Sequence, residues 1–313
     1  MRFEFIKCHG SGNDFPLIDA RGVSLDDSGW AAVARALADR DGPVGGDGLL
    51  LLVEARGKTA FGQRMFNPDG SEAETCLNGL RCVARAGFEA TGLDEALVGL
   101  PRSDAWAARV PDLAPGVVTI ATRVTSVSTD ARDVGLIAGG RFVDAAVPGL
   151  PSERRFTALA MPNPHLIAFV DDVDEGELVA LGDWCEAAPP LIPGRANISF
   201  VAPGGDGALF VRTYERGVGL TDSCGSAMAA SIHAAALTGR IAWDSDIVVR
   251  NRGGLVRGRT DRRPGVEIAG NATFEYRAAV TFDPDEGLGA VERLADYPAE
   301  RTAWQGVLDA ARG

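Results

Sequence analysis

Cys76 and Cys224 are the residues best placed to do chemistry. Cys76 is followed by Leu77-Asn78-Gly79 and Cys224 by Gly225-Ser226. Each precedes a stretch that reads as a helix, Asn78–Thr91 and Ser226–Thr238. At a helix start the exposed amides and the positive end of the dipole favour thiolate over thiol. A free thiol titrates near ~8.5, so modest stabilisation makes it a usable base near neutrality. The same amides can bind a carboxylate. Two thiols suit the inversion of a stereocentre: one takes the proton from one face of a carbon as thiolate, and the other delivers a proton to the opposite face as thiol. Removing a Cα proton without pyridoxal phosphate requires desolvation, positioning and stabilisation of the charge that develops.

The elements that must hold these thiols repeat along the chain. Cys224 lies 148 residues after Cys76, and the same shift places Arg64 on Arg212, Phe66 on Tyr214, Asn67 on Glu215, Leu50 on Ile198 and Val53 on Val201. Asn13 and Asn163 match at a shift of 150. Strands are expected at Phe3–Cys8, Leu49–Val53, Gln63–Phe66, Val117–Val124, Leu166–Val170, Ile198–Val201 and Leu209–Tyr214. Helices are expected at Ser28–Asp39, Asn78–Thr91, Glu175–Glu186, Ser226–Thr238 and Glu300–Ala311, with Gly92 and Gly239 as stops. The stretches 93–116 and 130–160 fit neither pattern. The alanine-rich helix after Cys224 is apolar nearly all round and reads as a buried central helix.

The bulk properties limit the alternatives. A chain of 313 residues with 46% hydrophobic and 24% charged residues can form two globular domains. A net charge of −12, spread along the sequence, argues against nucleic-acid and membrane-surface partners. The segment from Met1 to Phe15 has no apolar run of the signal-peptide kind, and no run approaches the ~20 residues needed to cross a bilayer, so a cytoplasmic location is expected. Five cysteines in a chain of this size do not suggest a disulfide framework, and three histidines without a Cys-x-x-Cys pair give little support to a metal site. Cys8, Cys82 and Cys185 read as small buried hydrophobes.

Seven motifs in order carry a resemblance to the diaminopimelate epimerase family. They are His9-Gly10-Ser11-Gly12-Asn13-Asp14-Phe15, Gly45-Gly46-Asp47-Gly48, the Asn67–Gly70 turn, Asn163-Pro164-His165, Arg195-Ala196-Asn197-Ile198, Tyr214-Glu215-Arg216-Gly217 and Thr221-Asp222-Ser223-Cys224-Gly225-Ser226. The resemblance implies an isomerase that interconverts L,L- and meso-diaminopimelate on the route to lysine and peptidoglycan, without metal, flavin or pyridoxal phosphate. It implies an α/β (α+β) fold of two similar domains related by a pseudo-twofold duplication, each a sheet wrapped round a central helix, with the active site between them and a homodimer as the assembly. The domains are expected at 1–135 plus 278–313, carrying Cys76, and at 136–277, carrying Cys224. Carried over by position, Cys76 and Cys224 are the acid/base pair. Leu77, Asn78, Gly225 and Ser226 hold the reacting end of the substrate. Asn13, Asn67, Asn163, Asn197 and Arg216 bind it, several at its distal end, Glu215 meets the amine, and His165 supports the thiols. Arg216 suits bidentate capture of a carboxylate.

Three positions depart from the family pattern. Leu77 and Ala227 stand where the family commonly has glycine, and Gly48 replaces a glutamine found in some members. The tail beyond Asp283 is longer than usual and has no assigned role. These departures bear on the substrate, so a related racemase of histidine, lysine or a proline derivative is the alternative. An isomerase using one carboxylate, a cysteine hydrolase activated by His165, and a binding protein with a dead site are weaker rivals, because each leaves two equivalent thiols unexplained.

Overall fold

A computed structural model describes residues 1–73, 76–263 and 265–312. The chain divides into two compact units, one of residues 1–122 with 269–313 and one of residues 123–268. The sequence reading puts the changeovers at 135/136 and 277/278. In the structure they fall inside two strands, whose opposite ends belong to different units, so neither coincides with a loop.

The first unit begins with β1 (Arg2–Gly10), β2 (Asn13–Asp19), α1 (Asp27–Ala38), β3 (Leu49–Val53), β4 (Phe61–Phe66), β5 (Glu72–Ala73), α2 (Leu77–Thr91), β6 (Glu95–Gly99), β7 (Asp104–Val110) and β8 (Thr119–Val124). β1 and β2 are antiparallel, β2 and β3 parallel with Leu17 opposite Leu50, and β3 and β4 antiparallel with Leu51 opposite Arg64. After α2, β6 runs parallel to β4 and turns back into β7.

The second unit repeats this order with β9 (Thr157–Met161), β10 (Asn163–Phe169), α3 (Glu175–Glu186), β11 (Asn197–Pro203), β12 (Leu209–Glu215), β13 (Gly219–Thr221), α4 (Gly225–Leu237), β14 (Ile247–Asn251), β15 (Gly254–Asp261) and β16 (Gly265–Asn271). The pairings repeat too: β9 and β10 are antiparallel, β10 and β11 parallel, β11 and β12 antiparallel with Phe200 opposite Arg212, and β14 runs parallel to β12 before turning into β15. The 148-residue periodicity of the sequence is therefore a periodicity of strand direction and partner. The chain ends with β17 (Thr273–Asp283), β18 (Gly287–Leu288), β19 (Glu292–Asp296) and α5 (Pro298–Arg312); β17 pairs antiparallel with both β1 and β19.

In each unit the sheet curves round one helix. α2 packs on β1, β2, β3, β4, β6 and β7, and every residue from Leu77 to Phe88 is buried. α4 packs on β9, β10, β11, β12, β14 and β15, with every residue from Gly225 to Ala236 buried. A helix enclosed on all sides needs small residues where strands come close. α4 meets this with its alanines. α2 meets it at Gly87, where a Cβ would lie 2.4 Å from the Phe61 ring. The other faces of the two sheets are covered by α1 and α3. α1 buries Trp30, Val33 and Leu37 against Phe3, Ile18 and Leu51, and α3 buries Leu178, Leu181 and Cys185 against Phe200 and Tyr214. An Asp side chain caps each outer helix: Asp26 accepts from the Gly29 amide at 2.8 Å and Asp174 from the Glu177 amide at 3.0 Å.

Candidate active site

The two cysteines are the N-caps of the two central helices. Cys76 has φ −144° and ψ 106°, and Cys224 has φ −122° and ψ 110°. Both backbones are extended at the cap, which directs the side chain back over the first helical turn. The sulfurs differ in their surroundings. Cys76 is half-buried, and its Sγ accepts from the Gly79 amide at 3.3 Å. Its thiol also reaches Asn13 Oδ1 at 3.6 Å. Cys224 is buried, has no side-chain cap bond, and lies 3.4 Å from Ser226 Oγ. Burial first, and then the Glu215 carboxylate, push the Cys224 thiol well above its ordinary range, against the pull of Ser226 and the Ala227 amide.

In the first unit Asn13 opens β2 and donates to Asp47 Oδ2; the Asp14 amide donates to the same oxygen at 3.0 Å. The Gly45–Gly48 segment thus serves as a support that turns Asn13 toward Cys76. Gly48 has φ 153°, and a Cβ there would lie 2.4 Å from the Phe66 carbonyl oxygen. That close approach leaves no room for a glutamine. Asn78 follows in the first turn of α2, is 2% exposed, and accepts from Arg81 at 3.0 Å through Oδ1. Leu77, the first residue of α2, is buried. Asn67 lies in the turn after β4, where its side chain donates to Ser71 Oγ at 2.9 Å.

The second unit brings more of the expected residues together. Asn163 donates to Ser226 Oγ at 3.1 Å, and its Oδ1 faces His165 Nε2 at 3.1 Å. Glu215, at the end of β12, accepts from Thr221 Oγ1 at 2.7 Å. Asn197 Oδ1 accepts from the Arg216 amide at 3.0 Å, and the Arg216 guanidinium, on the exposed side, bonds the Gly194 carbonyl oxygen. Gly225 is the first residue of α4. His165 is fully buried, and burial, assisted by the charge of Arg216, pushes it down to about 3. It is neutral at physiological pH, with Nε2–H as the donor to Asn163 and Nδ1 without a partner among the described residues. His165 is therefore placed to orient Asn163, and its ring does not take up a second proton. Among the described residues no group of three or more His, Cys, Asp or Glu side chains could hold a metal ion.

The family model for diaminopimelate epimerase matches residues 5–102 and 157–273, both half-sites included. This chain belongs to the diaminopimelate epimerase family. The diaminopimelate epimerase of Clostridium acetobutylicum is 36% identical over 290 residues, covering 90% of this chain and 87% of that protein. That of Lactiplantibacillus plantarum is 36% identical over 292 residues, covering 88% of each. Among solved structures, a phenazine biosynthesis protein of the PhzF family from Bacillus anthracis matches with a TM-score of 0.64 at 14% identity, covering 90% of this chain and 99% of that one, and so shares the fold.

Some parts of this family member's half-sites carry no motif in the sequence. In the Lys7–Asp14–Arg40–Asp47 ion-pair cluster that holds the Asn13 loop, Asp14 and Asp47 fall in the motifs, but Lys7 and Arg40 lie outside them. The tail beyond Asp283 lies outside the matched residues and packs on the first unit. Glu300 on α5 accepts from Arg85 on α2 at 2.8 Å and from the Phe274 amide at 3.0 Å, and the Trp304 ring packs at a tilt against His9 with centroids 5.8 Å apart. The sequence signal for this role is weak: one Glu and one Trp on an amphipathic helix.

Proposed function

We propose that this chain interconverts L,L- and meso-diaminopimelate by proton transfer at Cα, with Cys76 and Cys224 as the acid and base. The observation that carries this reading is that both cysteines occupy the same position, the cap of a buried central helix, in a chain of the diaminopimelate epimerase family. Inversion needs one sulfur on each face of the reacting carbon. The thiolate takes the Cα proton and becomes a thiol, and the opposite thiol gives its proton to the carbanion and becomes a thiolate. The charge that develops spreads into the α-carboxylate, where the amides of the first helical turns and the Asn78 and Ser226 side chains offer donors. Asn13 and Asn163, held by Asp47 and His165, complete that end. Glu215 meets the α-amine, while Asn67, Asn197 and Arg216 serve the distal amino acid.

The reading includes a homodimer in the cytoplasm, acting on a small-molecule amino acid, with no nucleic-acid or membrane partner. No helix among the described residues is long and apolar enough to cross a membrane. The test is incubation with L,L-diaminopimelate in D2O without added cofactor, beside L-histidine, L-lysine and hydroxyproline. Inversion with deuterium entering at Cα of diaminopimelate is the expected result. Inertness toward it, with turnover of another member of the panel, would overturn the substrate assignment.

A further inference from the structure

The 148-residue repeat extends to a pair of ion pairs that the proposed chemistry does not use. Arg64 on β4 and Arg212 on β12 are equivalent at that shift, and so are Asp27 and Glu175. Each acid stands in the first turn of its outer helix, one residue after the capping Asp26 or Asp174. Arg64 Nη2 donates to Asp27 Oδ1 at 2.7 Å, and Arg212 Nε donates to Glu175 Oε1 at 2.7 Å. Each arginine lies two residues before the aromatic, Phe66 or Tyr214, that packs with the outer helix. The arginine is the enclosed partner in both pairs, with its side chain 24% exposed at Arg64 and 2% at Arg212.

Each arginine has a second arm, and that arm reaches the segment leading into the cysteine. In the first unit Nε and Nη2 of Arg64 donate to the two carboxylate oxygens of Glu72 at 2.7 Å and 3.0 Å, on β5 just ahead of Cys76. In the second unit Nη1 of Arg212 donates to the Thr221 carbonyl oxygen at 2.8 Å and to Asp222 Oδ1 at 3.3 Å, just ahead of Cys224. The residue equivalent to Glu72 is Leu220, so the second unit uses a backbone oxygen where the first uses a carboxylate. The connection is kept although the acceptor atoms differ. β5 has two residues and β13 three, so few ladder bonds fix these segments. A guanidinium fork holds two partners in one plane, which a point charge does not.

We propose that Arg64 and Arg212 are the positioning residues of their half-sites: each ties the segment leading into its cysteine to the start of the outer helix, and so sets where the thiol stands. This rests on the two-thiol reading given above. A reacting group misplaced by about 1 Å can lose about a hundredfold in rate, so the hold on these segments bears directly on turnover. In the second unit the segment carries more. Thr221 Oγ1 donates to Glu215 at 2.7 Å, so Arg212 also supports the carboxylate assigned to the α-amine. The β14–β15 turn adds its own bonds: the Gly253 amide donates to the Asp222 carbonyl oxygen at 3.0 Å, and Asn251 Nδ2 donates to Ser223 Oγ at 3.0 Å. Arg212 therefore acts chiefly on residues 219–221.

The test is hydrogen exchange on the folded protein, read by mass at residues 72–73 and 219–221, beside steady-state epimerisation kinetics. Arg64→Met should speed exchange at 72–73 about tenfold or more and leave 219–221 within about twofold, and Arg212→Met should do the reverse. Arg64→Met should lower kcat about tenfold with KM within about threefold; Arg212→Met should lower kcat and also raise KM, because Thr221 carries Glu215. A general loss of stability would instead speed exchange in both segments alike. Exchange that rises equally in both segments or in neither, or kcat within about twofold of wild type in both folded variants, would overturn the proposal. If Arg212→Met does not fold, Arg64→Met and Glu175→Gln, which removes the anchor and leaves the arginine, decide. Exchange does not depend on turnover, so a wild type that epimerises nothing while the two segments respond separately would defeat the epimerase reading alone.

Discussion

A sulfur at the cap of a buried helix meets N–H donors on one side and apolar side chains on the other, and its charge state depends on which dominates. At Cys76 a donor is in place; at Cys224 burial and a carboxylate prevail. Because inversion uses the two in sequence, neither can compensate for loss of the other. Cys76→Ala and Cys224→Ala should each lower epimerisation by about a hundredfold or more, since each removes one member of the proposed proton-transfer pair, whose contribution is commonly about 10²–10⁴. Chiral chromatography of the products measures this, and turnover within tenfold of wild type by either variant would refute the roles. Both cysteines and the asparagines were legible because they fall in short motifs. Arg81 was not, because its burial without an ion-paired carboxylate among the described residues shows only in the packed structure.

The central helices impose their geometry through close approach. Gly87 lets α2 lie against the Phe61 ring, itself edge-on to Phe88 with centroids 5.8 Å apart. Gly87→Ala would gain about 1 kcal/mol of helix propensity and push a methyl group into three ring carbons. Overpacking of that kind costs about 1–3 kcal/mol, so a net loss of about 1 kcal/mol is expected in urea denaturation. A more stable variant would show that the ring yields freely. Periodicity gave α3 its observed limits and put α1, α2 and α4 within one residue at each end. β2 was missed because Pro16 interrupts it; the structure accommodates the proline because pairing with β3 begins only at Leu17. β14 to β17 were missed because their apolar positions alternate with Arg, Asp and Gly, a pattern close to that of a loop. The ambiguous stretch 93–116 holds the β6–β7 hairpin, and 130–160 is mainly turns until β9.

All three histidines are held neutral, His9 and His233 at about 4 and His165 at about 3, each chiefly by burial. As pH falls through 6.5 the unfolded chain takes up protons that the folded chain refuses until about 4. Stability is therefore full above 6.5 and declines below it, by at most about 1.4 kcal/mol per pH unit for each histidine and about 4 for all three together. Urea midpoints that stay level between pH 7 and pH 5 would contradict this.

The connectivity of the units has a consequence for biosynthesis. β1 takes its place beside β17, with Arg2 opposite Thr281 and the Met1 ammonium on the Phe282 carbonyl oxygen, so the partner of this strand is made only after the whole second unit. Residues 123–268 form an uninterrupted insertion. A ribosome thus releases everything that this inserted half requires while the half that began first still lacks an edge partner. The strand made earlier must wait, with Phe3 and Phe5 uncovered, until β17 itself has been made.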